Sequence, residues 1–173
     1  AYVEFKETKD ETIVIPNGID WSLYEHLHEE RQPGRMVWTS NPNRGLMSAV
    51  RYFRNLRKRH PHLELHVYGR SSVYGWTAMT DQLHDSLFLP DPGEPGVFVH
   101  DPLPKHELAK ELARSWCLFS PTSWPETFGI AYLEAQAAGT PVVTVPYGAL
   151  PYTVIGGLLE WDVEHSVEQL MDP

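Results

Sequence analysis

The chain reads as an α/β protein with a doubly wound, mostly parallel sheet. Three observations carry that reading. Short apolar runs alternate with segments of helical period along most of the 173 residues, the pattern of strands joined by crossover helices. One such unit is uninterrupted: Cys117-Leu118-Phe119, a helix that starts near Thr127 or Phe128 and ends at Gly139 and Pro141, then Val142-Val143-Thr144-Val145. Glycine just past a helix end, with proline shortly after, is the usual stop signal. Finally, Gly, Asn, Ser and Arg crowd the loops after the apolar runs. In a parallel, Rossmann-like sheet those loops share one ligand-binding crevice.

The elements follow in chain order. Residues 1–12 mix charges and open at Ala1 with no methionine, as expected of a piece excised from a longer protein. Thr12-Ile13-Val14-Ile15 reads as a short strand and Pro16-Asn17-Gly18 as a turn, which makes 1–20 a lead-in and 21–173 the domain proper. His26 and His28, with Glu29 and Glu30, lack the spacing of a metal site and read as a solvated segment. Met36-Val37-Trp38-Thr39 is the first core strand, and Ser40 to Gly45 is the loop at its carboxyl end. The next helix buries Leu46, Val50, Phe53 and Leu56 at a helical period. Its other face carries Arg51, Arg54, Arg57, Lys58 and Arg59. Cations near a helix C-terminus complement its dipole; a weak membrane-surface contact is the second reading of that face.

Leu63 to Gly69 is the second strand, with Arg70 in its loop. A helix from Ala78 to Leu87 and a turn-rich segment from Asp91 to Gly96 lead to the third strand, Val97-Phe98-Val99, with His100 at its end. Pro104 suits the first turn of a helix burying Leu108 and Leu112. After the central unit come a loop from Tyr147 to Pro151, a last strand from Gly156 to Leu159 and a helix from Val163 to Met171.

Composition sets the bounds. The length and 42% hydrophobic content suit one domain with a full core. A net charge of −9 argues against nucleic acid as the main partner. Cys117 is the single cysteine, so no intramolecular disulfide can form; in a buried strand it serves as a small core hydrophobe. There is no stretch long enough for a membrane helix, no signal-peptide pattern and no repeat. A cytoplasmic location is expected, with membrane association left open for the longer protein.

The chemistry gathers around Ser120 to Gly139. Glu134 has Ile130 and Ala131 one turn before it and Ala137 and Ala138 one turn after, whereas Tyr132 and Gln136 take another face. A lone glutamate on a helix is ordinarily solvated, but one on an apolar, small-residue stripe needs a partner or a polar cavity. Glu126 precedes the helix in a loop expected to be exposed, where its carboxylate would be free until a ligand arrives. The helix N-terminus between them offers N–H groups and a partial positive charge, which suits a phosphate. On the shared strand-end edge lie Ser40, Asn43 and Arg44, then Gly69 and Arg70, His100, Glu126 to Ile130, and Gly148. Two arginines beside a helix N-terminus are phosphate chemistry.

These residues also carry a resemblance. Glu126 and Glu134, spaced as E-x₇-E within Pro-Glu-Thr-Phe-Gly-Ile-Ala-Tyr-Leu-Glu-Ala, resemble the signature of retaining GT-B glycosyltransferases of the glycogen-synthase-like group. Gly139-Thr140-Pro141-Val142-Val143, Val14 to Asp20 and Asn43-Arg44-Gly45-Leu46 are similar too, so the likeness runs from about Ile13 to about Gly157. It covers the C-terminal, donor-binding half of such enzymes and implies a partner domain for the acceptor, N-terminal to this piece. It also assigns roles. Glu126 would bind sugar hydroxyls, Glu134 the ribose hydroxyls, and the amides of Phe128, Gly129 and Ile130 the distal phosphate. Arg44 would neutralise the pyrophosphate, and His100 would stand where the nucleobase is met. One departure stands out: many relatives carry a second cation directly after the first strand, where this chain has Thr39-Ser40-Asn41. Arg70, in the neighbouring loop, is the candidate replacement.

The implied reaction is glycosyl transfer with retention, from a nucleoside-diphosphate sugar as substrate, with electrostatic stabilisation of the leaving diphosphate. With no Asp-x-Asp clamp near the crevice, neither metal nor cofactor is expected. A non-catalytic nucleotide-binding module would share the same crevice. A GT-B sugar-nucleotide epimerase or a phosphorylase is a further enzyme reading, although the glutamate spacing and the lack of a Lys-rich cofactor loop speak against the phosphorylase. A response-regulator-like protein would need an acidic cluster where Thr39-Ser40-Asn41 stands.

Overall fold

The computed structural model describes residues 15–69 and 85–171. Arg70, most of the expected helix from Ala78 to Leu87 and most of the expected strand from Thr12 to Ile15 lie outside them. In chain order the elements are β1 (Gln32–Trp38), α1 (Leu46–Arg59), β2 (Glu64–Val67), β3 (Val97–Val99), α2 (Lys105–Arg114), β4 (Ser115–Phe119), α3 (Ile130–Ala137), β5 (Val142–Thr144), α4 (Leu150–Thr153), β6 (Gly157–Leu159) and α5 (Val163–Met171).

The six strands form one parallel sheet in the order β3-β2-β1-β4-β5-β6. This is the expected doubly wound, Rossmann-like α/β architecture. The order reverses between β1 and β4, where Met36 pairs with Cys117 and Val37 with Leu118. Ligands of such sheets bind outside the carboxyl ends of the strands at that reversal.

Alternation along β1 supplies both cores, because successive side chains point to opposite faces. Met36 and Trp38 pack with Leu46, Val50, Phe53 and Leu56 of α1 and with Val163 and Val167 of α5. Val37 packs with Leu112 of α2, Tyr132 and Ala135 of α3, and Leu150 of α4. Cys117 is buried in the first layer, and burial holds its thiol well above the ordinary range. The four α1 side chains expected to be buried are so. The basic face of α1 is largely committed within the chain. Arg54 pairs with Glu94, Arg59 with Glu164 and Glu168, and Arg57 donates to the Leu63 carbonyl.

Several boundaries differ from the sequence reading. Helix α3 starts at Ile130, later than expected, because Gly129 holds a left-handed φ of 87° and ends the preceding loop. Strand β1 begins at Gln32, where exposed Gln32 and Pro33 offer no apolar run to read. Leu150 and Pro151, read as the end of a loop, open a helical turn over Leu150–Thr153, where the missing N–H of Pro151 goes unneeded.

Candidate functional site

A cleft of about 640 Å³ opens at the carboxyl ends of β1, β2 and β4 and at the start of α2. Of the residues singled out in the sequence, Ser40, Arg44, Gly69, Glu126, Phe128, Gly129, Ile130 and Glu134 line it. Asn43 and His100 are not among its lining residues. Asn43 belongs to the 3-10 turn Pro42–Arg44, where its N–H donates to Asn41 Oδ1 at 3.1 Å. That turn aims Arg44 at the cleft.

Two loops are fastened to each other here. Thr122 Oγ1 donates to the Arg44 carbonyl at 2.7 Å and accepts from the Trp124 N–H at 3.0 Å. Arg44 Nη1 in turn reaches both carboxylate oxygens of Glu126, at 3.0 and 3.2 Å. Glu126 is therefore neither exposed nor free, as its loop position had suggested. It is only 4% accessible, and a buried carboxylate requires such a partner. The loop 147–149 closes over it: the Ala149 N–H donates to the Glu126 carbonyl at 2.8 Å. A Cβ on Gly148 would sit 2.4 Å from the Glu126 carbonyl oxygen.

Helix α3 supplies the inner end. Tyr132 anchors it on the sheet through the Ser120 hydroxyl, 3.0 Å away, and burial pushes its phenol up to about 12. The core stripe of α3 is Tyr132 and Ala135, while Ile130, Ala131 and Glu134 line the cleft. Among the described residues, no side chain caps the helix start by a hydrogen bond. Glu134, 7% accessible, finds the partner that its position demanded in Lys105, the first residue of α2. Tyr24 lies close by; burial raises its phenol above the ordinary range, and the charge of Glu134 adds to the rise.

Lys105 was missed in the sequence. A signal was available, because a cation at the first residue of a helix opposes the dipole and so asks for a partner. Also missed was a polar cluster behind the cleft. Arg35 donates from Nη2 to Tyr68 Oη at 2.9 Å and to Glu111 Oε2 at 2.6 Å, and Tyr68 Oη donates to Glu111 Oε2 at 2.6 Å. His100 stacks on Tyr68 with ring centroids 4.5 Å apart and on His66 at 5.1 Å. Tyr68, on which His100 stacks, lines the cleft. Burial lowers His66 to about 4 and lowers His100 as well. For Glu111, burial opposes ionisation, but hydrogen bonds from Tyr68, Arg114 and Arg35 prevail and hold the carboxyl below the usual range.

The arrangement is an anion cradle at a helix N-terminus, flanked by two cation–carboxylate pairs in one cleft. Known proteins are similar to the chain in sequence and in fold. Residues 36–158 match the family model of glycosyl transferases group 1. The chain is 30% identical over 151 residues to glycogen synthase of Mycobacterium tuberculosis, a match covering 85% of this chain and 34% of that protein. It is 34% identical over 118 residues to D-inositol 3-phosphate glycosyltransferase of Corynebacterium kroppenstedtii, covering 66% and 25%. It therefore spans about a third or less of the length of these curated relatives. Its fold is similar to sucrose-phosphate synthase from Thermosynechococcus elongatus, with a TM-score of 0.61 at 19% identity over 91% of this chain and 42% of that one. It is also similar to Anabaena Alr3699/HepE in complex with UDP-glucose, with a TM-score of 0.54 at 15% identity over 90% and 45%. The fold neighbours are GT-B glycosyltransferases, and the fit is to the C-terminal half of that architecture. With the family match running through both core layers and the whole α3 segment, the chain belongs to glycosyl transferases group 1.

Proposed function

We propose that this chain is the donor-binding half of a retaining glycosyltransferase and holds a nucleoside-diphosphate sugar for transfer to an acceptor bound by another domain. The observation that carries the proposal is the convergence on one cleft of Arg44 paired with Glu126, of Glu134, and of the start of α3. A diphosphate needs fixed donors and a cation, and a sugar needs a carboxylate to accept from its hydroxyls. The cleft offers both. Anabaena Alr3699/HepE, a fold neighbour, was solved with UDP-glucose, which supports a ligand of this class.

In this reading Glu126 accepts from the donor sugar hydroxyls. The amides of Phe128, Gly129 and Ile130 hold the distal phosphate, and Arg44 neutralises the pyrophosphate. Glu134 accepts from the ribose. As the glycosidic bond breaks, negative charge grows on the leaving diphosphate, and Arg44 and the helix start are already aimed at it; preorganised groups of this kind are usually the largest catalytic contribution. Arg44 begins this step paired with Glu126. Phosphate oxygens must therefore compete for the guanidinium, which has spare N–H groups for both.

A thermal-shift screen of the chain against UDP, GDP, ADP and their sugar conjugates tests the proposal. One base should raise the melting temperature with both the diphosphate and its sugar, and the corresponding nucleoside should act more weakly. Affinity on the order of 0.1 to 1 mM is expected, because half of the closed site belongs to another domain. If no nucleotide shifts the transition and calorimetry detects no heat, the proposal is wrong.

A further inference from the structure

The carboxyl end of β1 presents Thr39, Ser40 and Asn41 to the cleft, an edge without positive charge. Among the described lining residues, the charged groups are Arg44, Glu126, Lys105 and Glu134. They stand as two couples, Arg44 with Glu126 and Lys105 with Glu134. Arg44 is assigned to the diphosphate by the reading above; Lys105 has no part in it.

We propose that Lys105 is the second cation of the diphosphate site: it pairs with Glu134 until nucleotide binds and moves to the phosphates when ribose hydroxyls take over that carboxylate. The inference rests on the donor-site reading. Three features of the pair support it. The Lys105 side chain is 62% exposed while that of Glu134 is 9% exposed. The carboxylate is therefore fixed and the ammonium can move, and ribose hydroxyls donating to Glu134 would keep that buried carboxylate satisfied once the ammonium leaves. Helical side chains lean toward the N-terminus of their helix. The Glu134 carboxylate thus lies over the turn that begins at Ile130, within about one 5.4 Å pitch of the amides proposed to hold phosphate. Lysine also suits a change of partner: it is a point charge with three rotating donors on a flexible stem, without the fixed fork of arginine. Tyr24, the other polar neighbour of Glu134, stays a neutral phenol because burial and that same carboxylate raise it. It offers no positive charge to the phosphates.

The test is calorimetry on the chain, on Lys105→Ala and on Lys105→Arg, with UDP and uridine, GDP and guanosine, and ADP and adenosine, at two salt concentrations. The diphosphate that binds the parent chain should bind Lys105→Ala about 5- to 20-fold more weakly, the scale of one charge-assisted hydrogen bond with partial exposure. The matching nucleoside should bind as well as before or up to about threefold better, since Glu134 has lost its competitor. Lys105→Arg should recover most of the diphosphate affinity, and the alanine variant should show a shallower salt dependence. Melting curves without nucleotide check the fold. If the alanine variant melts well below the parent, Lys105→Gln is judged by the same two affinities. Equal diphosphate affinity in parent and variant overturns the assignment of Lys105 alone, as does an equal loss for nucleoside and diphosphate. A parent chain that binds none of the three diphosphates overturns the donor-site reading and this inference with it.

Discussion

Arg44 and Glu126, 82 residues apart, meet through one guanidinium nitrogen set between both carboxylate oxygens at 3.0 and 3.2 Å. The contact joins the loop after β1 to the loop after β4 across the reversal of the sheet. The same two side chains that the proposed reaction would use therefore also hold the two loops together.

Removing one member exposes that double role. Arg44→Ala leaves a carboxylate that is 4% accessible without its cation. The cost should be about 1 to 3 kcal/mol of stability, below the full value for a buried pair because Arg44 is itself partly exposed. Glu126→Gln in the Arg44→Ala background should recover most of that loss, since the uncompensated charge is gone. Urea denaturation of the four species gives the coupling directly. If the two substitutions simply add, the pair contributes nothing to the fold.

The acid limb of stability should belong to the cluster behind the cleft. Burial lowers His66 to about 4 from an ordinary value near 6.5, and His100 is lowered too. The unfolded chain then binds protons that the folded chain refuses. Stability is full above about pH 6.5 and falls as pH drops toward 4, by roughly 1.4 kcal/mol per pH unit for each histidine fully out of step. Glu111 works in a lower window, because its depressed carboxyl gives stability that is lost only below the ordinary carboxylate value. Urea midpoints at pH 7.5, 6 and 5 should fall steadily for the parent chain and less steeply for His66→Gln. Identical slopes would remove His66 from the cause.

Gly148 should be irreplaceable by alanine where Gly139 is not. Both are left-handed, at φ of 65° and 72°, so each substitution carries the strain of a side chain in that region, on the order of 1 kcal/mol. At Gly139 the nearest atom to an added Cβ is Arg31 Nη2 at 3.8 Å; at Gly148 it is the Glu126 carbonyl oxygen at 2.4 Å. Gly148→Ala should thus cost at least twice as much as Gly139→Ala in thermal or urea unfolding, on the order of 2 to 4 kcal/mol. It should also weaken sugar-nucleotide binding by displacing Glu126. Similar costs at the two positions would mean that the loop over Glu126 yields freely.

Sequence and structure agree where short-range rules decide. The period of α1 named its buried side chains, and the punctuation at Gly139 and Pro141 ended α3 where the chain does end it. The carboxylate of Glu134 could be singled out because its neighbours on the helix are small and apolar. That Lys105 is its partner could not be read, even though a cation at a helix start is itself a signal, since Lys105 arrives from another helix 29 residues away. Glu126 was misjudged for the same reason: a loop residue reads as solvated until the loop that covers it, 147–149, is folded over it. Arg35 lay at the edge of an apolar run whose start was hidden by Pro33 and Gly34, and its partners Tyr68 and Glu111 come from two other elements. Long-range polar pairing leaves no local period to read.

Ribose recognition by Glu134 is the most direct test of the donor-site reading. Calorimetry should compare the chain and Glu134→Gln against the nucleoside diphosphate that binds and against its 2′,3′-dideoxy analogue. Glutamine keeps the shape and hydrogen-bonding capacity but removes the charge, and Lys105, being exposed, is left in water and not buried alone. The substitution should weaken the ribonucleotide by about tenfold, the scale of a hydrogen bond to a charged group, and should change the affinity of the dideoxy analogue little. Loss of affinity for both ligands to the same degree, or a melted fold with ribose discrimination intact in what remains, would make Glu134 a structural carboxylate and contradict the assignment of this cleft.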